Sequence, residues 1–192
     1  LELAKEAAAR SIELIFPTDR VGVIAFDDAA SWVVPMTELN DPDYVASAIG
    51  TIQSGGGTDI LAGIQAMAKV LPDDPAKVKH VILLTDGQTA YPEDCSKLGM
   101  EMAAAGITIS TVAVGADADG QLLHDIAAAA QGRFYPVADP ATIPEVFIKE
   151  AQVVRRSMIV EETFSPQIVY LLSEILTGVS TALPPLDGYV LT

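Results

Sequence analysis

The sequence predicts a three-layer α/β domain, in which a mostly parallel open sheet carries helices on both faces and one antiparallel strand lies at its edge. Three observations carry this. Strand-length apolar runs alternate with helical stripes along most of the 192 residues, half of which are hydrophobic. Val81-Ile82-Leu83-Leu84 is apolar on consecutive positions, as in a strand covered on both sides. Such alternation packs as a parallel sheet with right-handed crossovers.

The elements follow in order. Leu1, Ala4, Ala8, Ile12 and Ile15 form an amphipathic stripe over 2–16, ended by Pro17. No capping residue precedes Leu1, so the sequence is expected to be a piece of a longer chain. The run 21–26 reads as a buried strand, and Asp27-Asp28-Ala29-Ala30 turns it into a second strand, 31–36, ended near Pro35. This pair is expected to be an antiparallel hairpin at a sheet edge. Asp41-Pro42 opens a short helix to about residue 52, and Ser54-Gly55-Gly56-Gly57-Thr58-Asp59 is a loop feeding a helix over 60–71 that Pro72 and Pro75 stop. A strand at 78–85 ends at Asp86-Gly87. A helix over 93–105 buries Cys95, Leu98, Met102 and Ala105, and Gly106 breaks it before a strand at 107–114. The predicted domain closes with a helix over 121–130 (Leu122, Ile126, Ala129 inward), a strand at 133–137 and a helix over 143–154 (Ile143, Phe147, Ala151, Val154 inward).

The pattern changes beyond Arg155-Arg156, which places the domain at 1–156 and an extension at 157–192 that links to a neighbouring module. Residues 158–164 read as extended, 166–179 as a helix, and 181–188 as a stiff proline-rich connector. Ile168, Leu172, Ile175 and Val179 form a stripe that needs cover. The longest apolar stretch, 168–186, is interrupted by Glu174 and Pro184-Pro185, short of the roughly 20 residues a membrane span requires, so the chain reads as soluble.

Composition narrows the functional classes. Eleven basic against 26 acidic residues give a net charge of −15, a field that repels nucleic-acid phosphates. Cys95 is the only cysteine, which excludes an internal disulfide and a thiolate zinc cluster; its inward helical position makes it a small buried hydrophobe. His80 stands at the wrong end of its strand for a base, and His124 is mid-helix, so both read as exposed or simply hydrogen-bonded. Asp117-Ala118-Asp119-Gly120 begins like a calcium loop, but Gln121 and Ala128 stand where further oxygens are required.

Ligands of open parallel sheets sit beyond the carboxyl ends of the strands. Four loops lie there, 27–30, 54–59, 86–91 and 115–120. Asp86 offers a carboxylate in a tight turn and Thr58 a hydroxyl after three glycines, hard oxygens that suit Mg²⁺. The same residues equally make a helix cap and an ordinary Asp-Gly turn.

Gly56-Gly57-Thr58-Asp59-Ile60, followed by Val81-Ile82-Leu83-Leu84-Thr85-Asp86-Gly87, resembles the von Willebrand factor type A family over about residues 1–155. The resemblance implies a Rossmann-like fold and makes the two segments the second and third elements of a metal-ion-dependent adhesion site. Thr58 would bind the ion through its hydroxyl and Asp86 mainly through a coordinated water. Asp59 and Asp27 are possible further ligands, with Gln88, Thr89, Tyr91, Asp117 and Asp119 at the rim. The intact site would hold Mg²⁺, or another divalent cation, and bind the acidic side chain of a partner protein. The family's first element, Asp-x-Ser-x-Ser on the first central strand, has no counterpart here. Its absence leaves a groove between the strands of Phe26 and Leu83, to be filled by 158–164, by 188–192, or by a second copy through strand exchange or edge pairing. Weak or no Mg²⁺ binding by this chain is the corollary. The resemblance also implies a membrane-attached parent protein in a bacterial envelope.

Two alternatives stand beside partner recognition: a docking module with an incomplete cation site, and a Mg²⁺-dependent phosphoryl-transfer hydrolase. Against the hydrolase, Asp86-Gly87-Gln88 lacks the second carboxylate of an Asp-x-Asp pair, and no nucleophile elbow or Walker A sequence is present. The chain is therefore not expected to be an enzyme.

Overall fold

The computed structural model describes residues 1–53, 55–89, 91–157, 159–160, 165, 185–186 and 189–190. It divides into two compact units, 1–154 and 155–192. The first contains α1 (Glu2–Ile12), β1 (Arg20–Phe26), β2 (Ala30–Glu38), α2 (Pro42–Gly50), α3 (Ile60–Ala68), β3 (Lys79–Thr85), α4 (Pro92–Ala104), β4 (Ile107–Val114), α5 (Gly120–Ala129), β5 (Gln131–Val137) and most of α6 (Ile143–Ser157). In the second, β6 (Ile159–Val160) pairs antiparallel with β7 (Tyr189–Val190). The apolar stripe of Ile168, Leu172, Ile175 and Val179 lies outside the described residues.

β3, β4 and β5 form a parallel sheet in that order, and β1 and β2 form a separate antiparallel pair. The α/β alternation is thus realised, with the hairpin antiparallel as expected. No ladder joins β1 to β3 among the described residues. Two helices hold the sheets together instead. On one face α3 places Ile60 and Ile64 in a core with Val81, Leu83, Ile109 and Ile126, against which Phe26 and Met36 of the hairpin also pack. On the other face α1 contributes Ala7 to a core with Val112, Val137, Ile143 and Phe147, and Ile12 to a hairpin core with Val21, Val34 and Ile49. At the amino end of β1, Arg20 Nε donates to Asp74 Oδ2 at 2.9 Å, tying the hairpin to the connection before β3.

Several boundaries move, for local reasons. β2 runs through Pro35 to Glu38 because it is an edge strand with register shifts opposite Val21–Ile24, where a missing N–H is tolerated. α3 ends at Ala68, and Pro72 falls in a short 3₁₀ turn, Leu71–Asp73, rather than ending the helix itself. Gly106 adopts φ +74° just after α4, the left-handed conformation that closes a helix without a Cβ penalty.

Burial also corrects three predicted faces. In α1 the buried residues are Ala7, Ser11 and Ile12, while Leu1 is exposed. In α4 Cys95, Gly99 and Met102 are buried and Leu98 packs partly buried against the same core, while Ala105 is exposed; in α5 Leu123 and Ala127 join Leu122 and Ile126 in place of Ala129. The strand 21–26 is not fully buried: apart from Val21, β1 is only half-covered. A strand needs neighbours on both edges as well as helices on both faces to be sealed, and among the described residues β1 has one neighbour.

Candidate functional site

The four loops beyond the carboxyl ends of the strands meet one another. The Asp27 carbonyl accepts from the Asp59 N–H at 2.6 Å, and Asp28 Oδ1 accepts from the Gly57 N–H at 2.9 Å. Gly56, at φ +64°, lies so close that a Cβ there would sit 2.8 Å from Asp28 Oδ2. The 27–30 turn and the glycine loop are therefore one tied assembly. A Cβ on Gly87 would overlap Thr58 Oγ1 and stand 2.9 Å from Thr58 Cβ, so the threonine rests directly on the Asp86-Gly87 turn. That turn reaches the fourth loop in its turn. Asp119 N–H donates to the Gly87 carbonyl at 3.4 Å, and Gln88 Nε2 to the Asp117 carbonyl at 3.3 Å.

Thr58 thus lies against the turn that carries Asp86; Thr58 is half-buried and Asp86 exposed. The remaining carboxylates are engaged locally. Asp59 caps α3 through the Ala62 N–H at 3.0 Å, Asp119 caps α5 through the Leu122 N–H at 3.0 Å, and Asp27 accepts from the Ala29 N–H at 3.1 Å. Asp117 and Tyr91 are exposed, and Tyr91 precedes α4 without a side-chain cap bond. Thr89 is half-buried, yet its Oγ1 is sealed from solvent with no hydrogen-bond partner among the described residues.

The donor chemistry fits a divalent cation in part. Thr58 and Asp86 carry hard oxygens on segments that touch, and the Thr89 hydroxyl, without a partner among the described residues, belongs to the same loop as Asp86. Six oxygens are the usual requirement, and the described residues contain no group of three or more His, Cys, Asp or Glu placed to hold an ion.

Outside these loops, Cys95 is fully buried, and burial next to the Asp59 and Asp94 charges pushes its thiol up to about 11. It is an inert core residue, as its helical position predicts. His124 is exposed, beside Asp125 and edge-on to Phe134. His80 is more than a satisfied surface histidine. Its ring is 8% exposed, Nδ1 is 2.6 Å from Thr108 Oγ1, and Nε2 stands 2.8 Å from Glu150 Oε2.

Glu150 itself was not foreseen. It occupies the inward face of α6 with Ile143, Val146 and Phe147, and is 0% exposed. Arg133 grips it through Nε at 2.8 Å and a terminal nitrogen at 3.1 Å; Ser110 Oγ donates at 2.9 Å, and the Tyr135 hydroxyl donates as well. Burial alone would raise its carboxyl, but the bonds from His80, Arg133, Tyr135 and Ser110 outweigh burial and hold it far below the ordinary carboxylate range. The legible signal was the sequence Arg133-Phe134-Tyr135, which puts two polar groups on one face of a strand, opposite a helical stripe interrupted by one acid.

Comparison with known proteins places the scaffold. A model of the von Willebrand factor type A domain matches residues 1–149. The chain is 33% identical over 153 residues to the "Uncharacterized protein sll0103" of Synechocystis sp., covering 77% of this chain and 36% of that protein's length. Among solved structures, the von Willebrand factor type A protein from Catenulispora acidiphila superposes with a TM-score of 0.73 at 23% identity, covering 85% of this chain and 40% of that one. Proximal thread matrix protein 1 from the mussel byssus, in a structure with a zinc-occupied metal-ion-dependent adhesion site, superposes at 0.69 with 20% identity, covering 79% and 40%. With 149 consecutive residues matched and the loop geometry of that fold in place, the chain belongs to the von Willebrand factor type A domain family.

Proposed function

We propose that the domain is a protein-recognition module that engages an acidic side chain of a partner through a divalent cation at the 55–59 and 86–91 loops. The observation that carries this reading is the seating of Thr58 on the Asp86-Gly87 turn. A hydroxyl and a carboxylate side by side leave a Mg²⁺ ion under-neutralised, so that an external carboxylate gains by completing its shell. Thr58 would contact the ion directly, Asp86 through water, and Gln88, Thr89 and Tyr91 would line the approach. With the neighbouring carboxylates committed to backbone N–H groups, this chain alone binds Mg²⁺ weakly. The zinc-occupied site of the mussel protein supports the cation chemistry, and the membership of the family supports the recognition role.

Titration with a short acidic peptide in millimolar MgCl₂, followed by amide NMR, tests it. Shifts confined to 55–59 and 86–91, lost with EDTA and in Asp86→Ala, are expected. The same shifts in EDTA would overturn the cation's part. A docking module without cation chemistry is favoured by one specific observation, the use of Asp28, Asp59 and Asp119 as backbone caps. On that reading Asp86→Ala leaves the peptide spectra unchanged. We hold the domain to be non-catalytic; Mg²⁺-dependent turnover of a chromogenic phosphate ester, abolished by Asp86→Ala, would reverse that.

A further inference from the structure

We propose that Glu150 is a register lock for α6, holding that helix at one axial position on the parallel sheet. The carboxylate gathers polar groups from all three strands at a single spot: Ser110 on β4 and Arg133 and Tyr135 on β5 donate to it, and His80 Nε2 on β3 stands 2.8 Å away. The spot is itself fixed. Ser110 Oγ accepts from the Arg133 N–H at 3.0 Å, His80 Nδ1 meets Thr108 Oγ1, and Lys149 Nζ lies 5.4 Å from the centre of the Tyr135 ring.

A helix on an apolar face alone can slide, because one aliphatic side chain replaces another at the next turn. Among the described buried residues of α6, Ile143, Val146 and Phe147 have this character and Glu150 does not. Residues one turn either side of Glu150 are Val146 and Phe147, and Val153 and Val154. A one-turn slip in either direction would therefore present a hydrocarbon to Arg133, Tyr135, Ser110 and His80, and would leave the Glu150 charge without its partners. Unpaired buried polar groups are disfavoured far more strongly than a misfit between methyl groups. The lock is positional, acting through the helix, and is separate from the loops that carry the proposed recognition role.

The test uses paired spin labels on introduced cysteines at Gln121→Cys on α5 and Ile148→Cys on α6, both exposed positions. The buried native thiol of Cys95, raised to about 11, stays unlabelled. Pulsed dipolar spectroscopy should give one narrow distance for the parent. Glu150→Leu should broaden it or add a second distance displaced by up to about 5 Å, one helical turn. Glu150→Gln, which still accepts from Tyr135 and Ser110, should fall between. If the leucine variant does not fold, the glutamine variant alone decides by the same criterion. Distributions that coincide with the parent, accompanied only by a lower melting temperature, would reduce Glu150 to a stabilising residue and overturn the lock.

Discussion

β1 and β4 carry equally apolar sequences and are held by different means. β4 lies between β3 and β5, with α5 on one face and α6 on the other, and six of its eight residues are buried. Among the described residues β1 has a ladder only to β2, and one of its seven residues is buried. The parallel sheet is secured by main-chain ladders and a filled core. The hairpin is secured by two helices that overhang both sheets, one ion pair at its amino end and the Asp27 and Asp28 contacts at its carboxyl end. Hydrophobic sequence alone does not seal a strand; both of its edges must also be occupied.

That contrast can be broken by paired substitutions. Ile109→Ala, at a fully buried position of β4, should cost about 3–4 kcal/mol in urea unfolding, from lost transfer energy and a residual cavity. Ile24→Ala, at a half-buried position of β1, should cost about 1 kcal/mol. Equal losses would mean that the hairpin is as well supported as the parallel sheet.

A smaller effect sharpens the comparison through pH. Glu150 on the parallel-sheet side and Asp74 on the hairpin side both have carboxyls held below their ordinary values. In each, burial opposes the shift and is outweighed: at Glu150 by His80 and Arg133 first, at Asp74 by the Ala76 N–H and Arg20. A depressed carboxyl stabilises the fold above the unfolded value, about 4, and loses that contribution as pH falls through the folded one. Stability should therefore be flat from pH 7 to about 5 and decline below about 4. Glu150→Gln should cost about 2–3 kcal/mol at pH 7 and flatten the acid decline, since it removes the charge that a fully buried carboxylate presents to Arg133, Tyr135 and Ser110. Asp74→Asn should do less of both, because fewer donors, Arg20 Nε and the Ala76 N–H, hold its carboxylate. A decline as steep in Glu150→Gln as in the parent would contradict the assignment.

The smallest expected change is at the loops. Asp59→Ala removes the cap of α3 and should lower stability by about 1 kcal/mol, read from the thermal midpoint. Asp86→Ala should leave stability within about 0.5 kcal/mol, because the side chain is exposed.

The order of elements was legible because helical stripes and apolar runs are local signals, and the hairpin because Asp27-Asp28 stands between two strand-length runs. The approach of Thr58 to the Asp86-Gly87 turn was legible from the resemblance of two short motifs. Glu150 was not, because an acid on a helical stripe reads as a solvated position until the partners from three other elements are known. The half-covered state of β1 depended on what lies beside it in space. The persistence of β2 through Pro35 depended on its being an edge.

One peptide connects the two sheets at the loop end. The Asp59 N–H is fastened to Asp27 on the hairpin, while the preceding side chain, Thr58, leans on Gly87 beyond β3. The residue pair works as a strut: because one end is fastened to the hairpin and the other rests on the turn after β3, any rocking of the hairpin against the parallel sheet must slide Thr58 across Gly87.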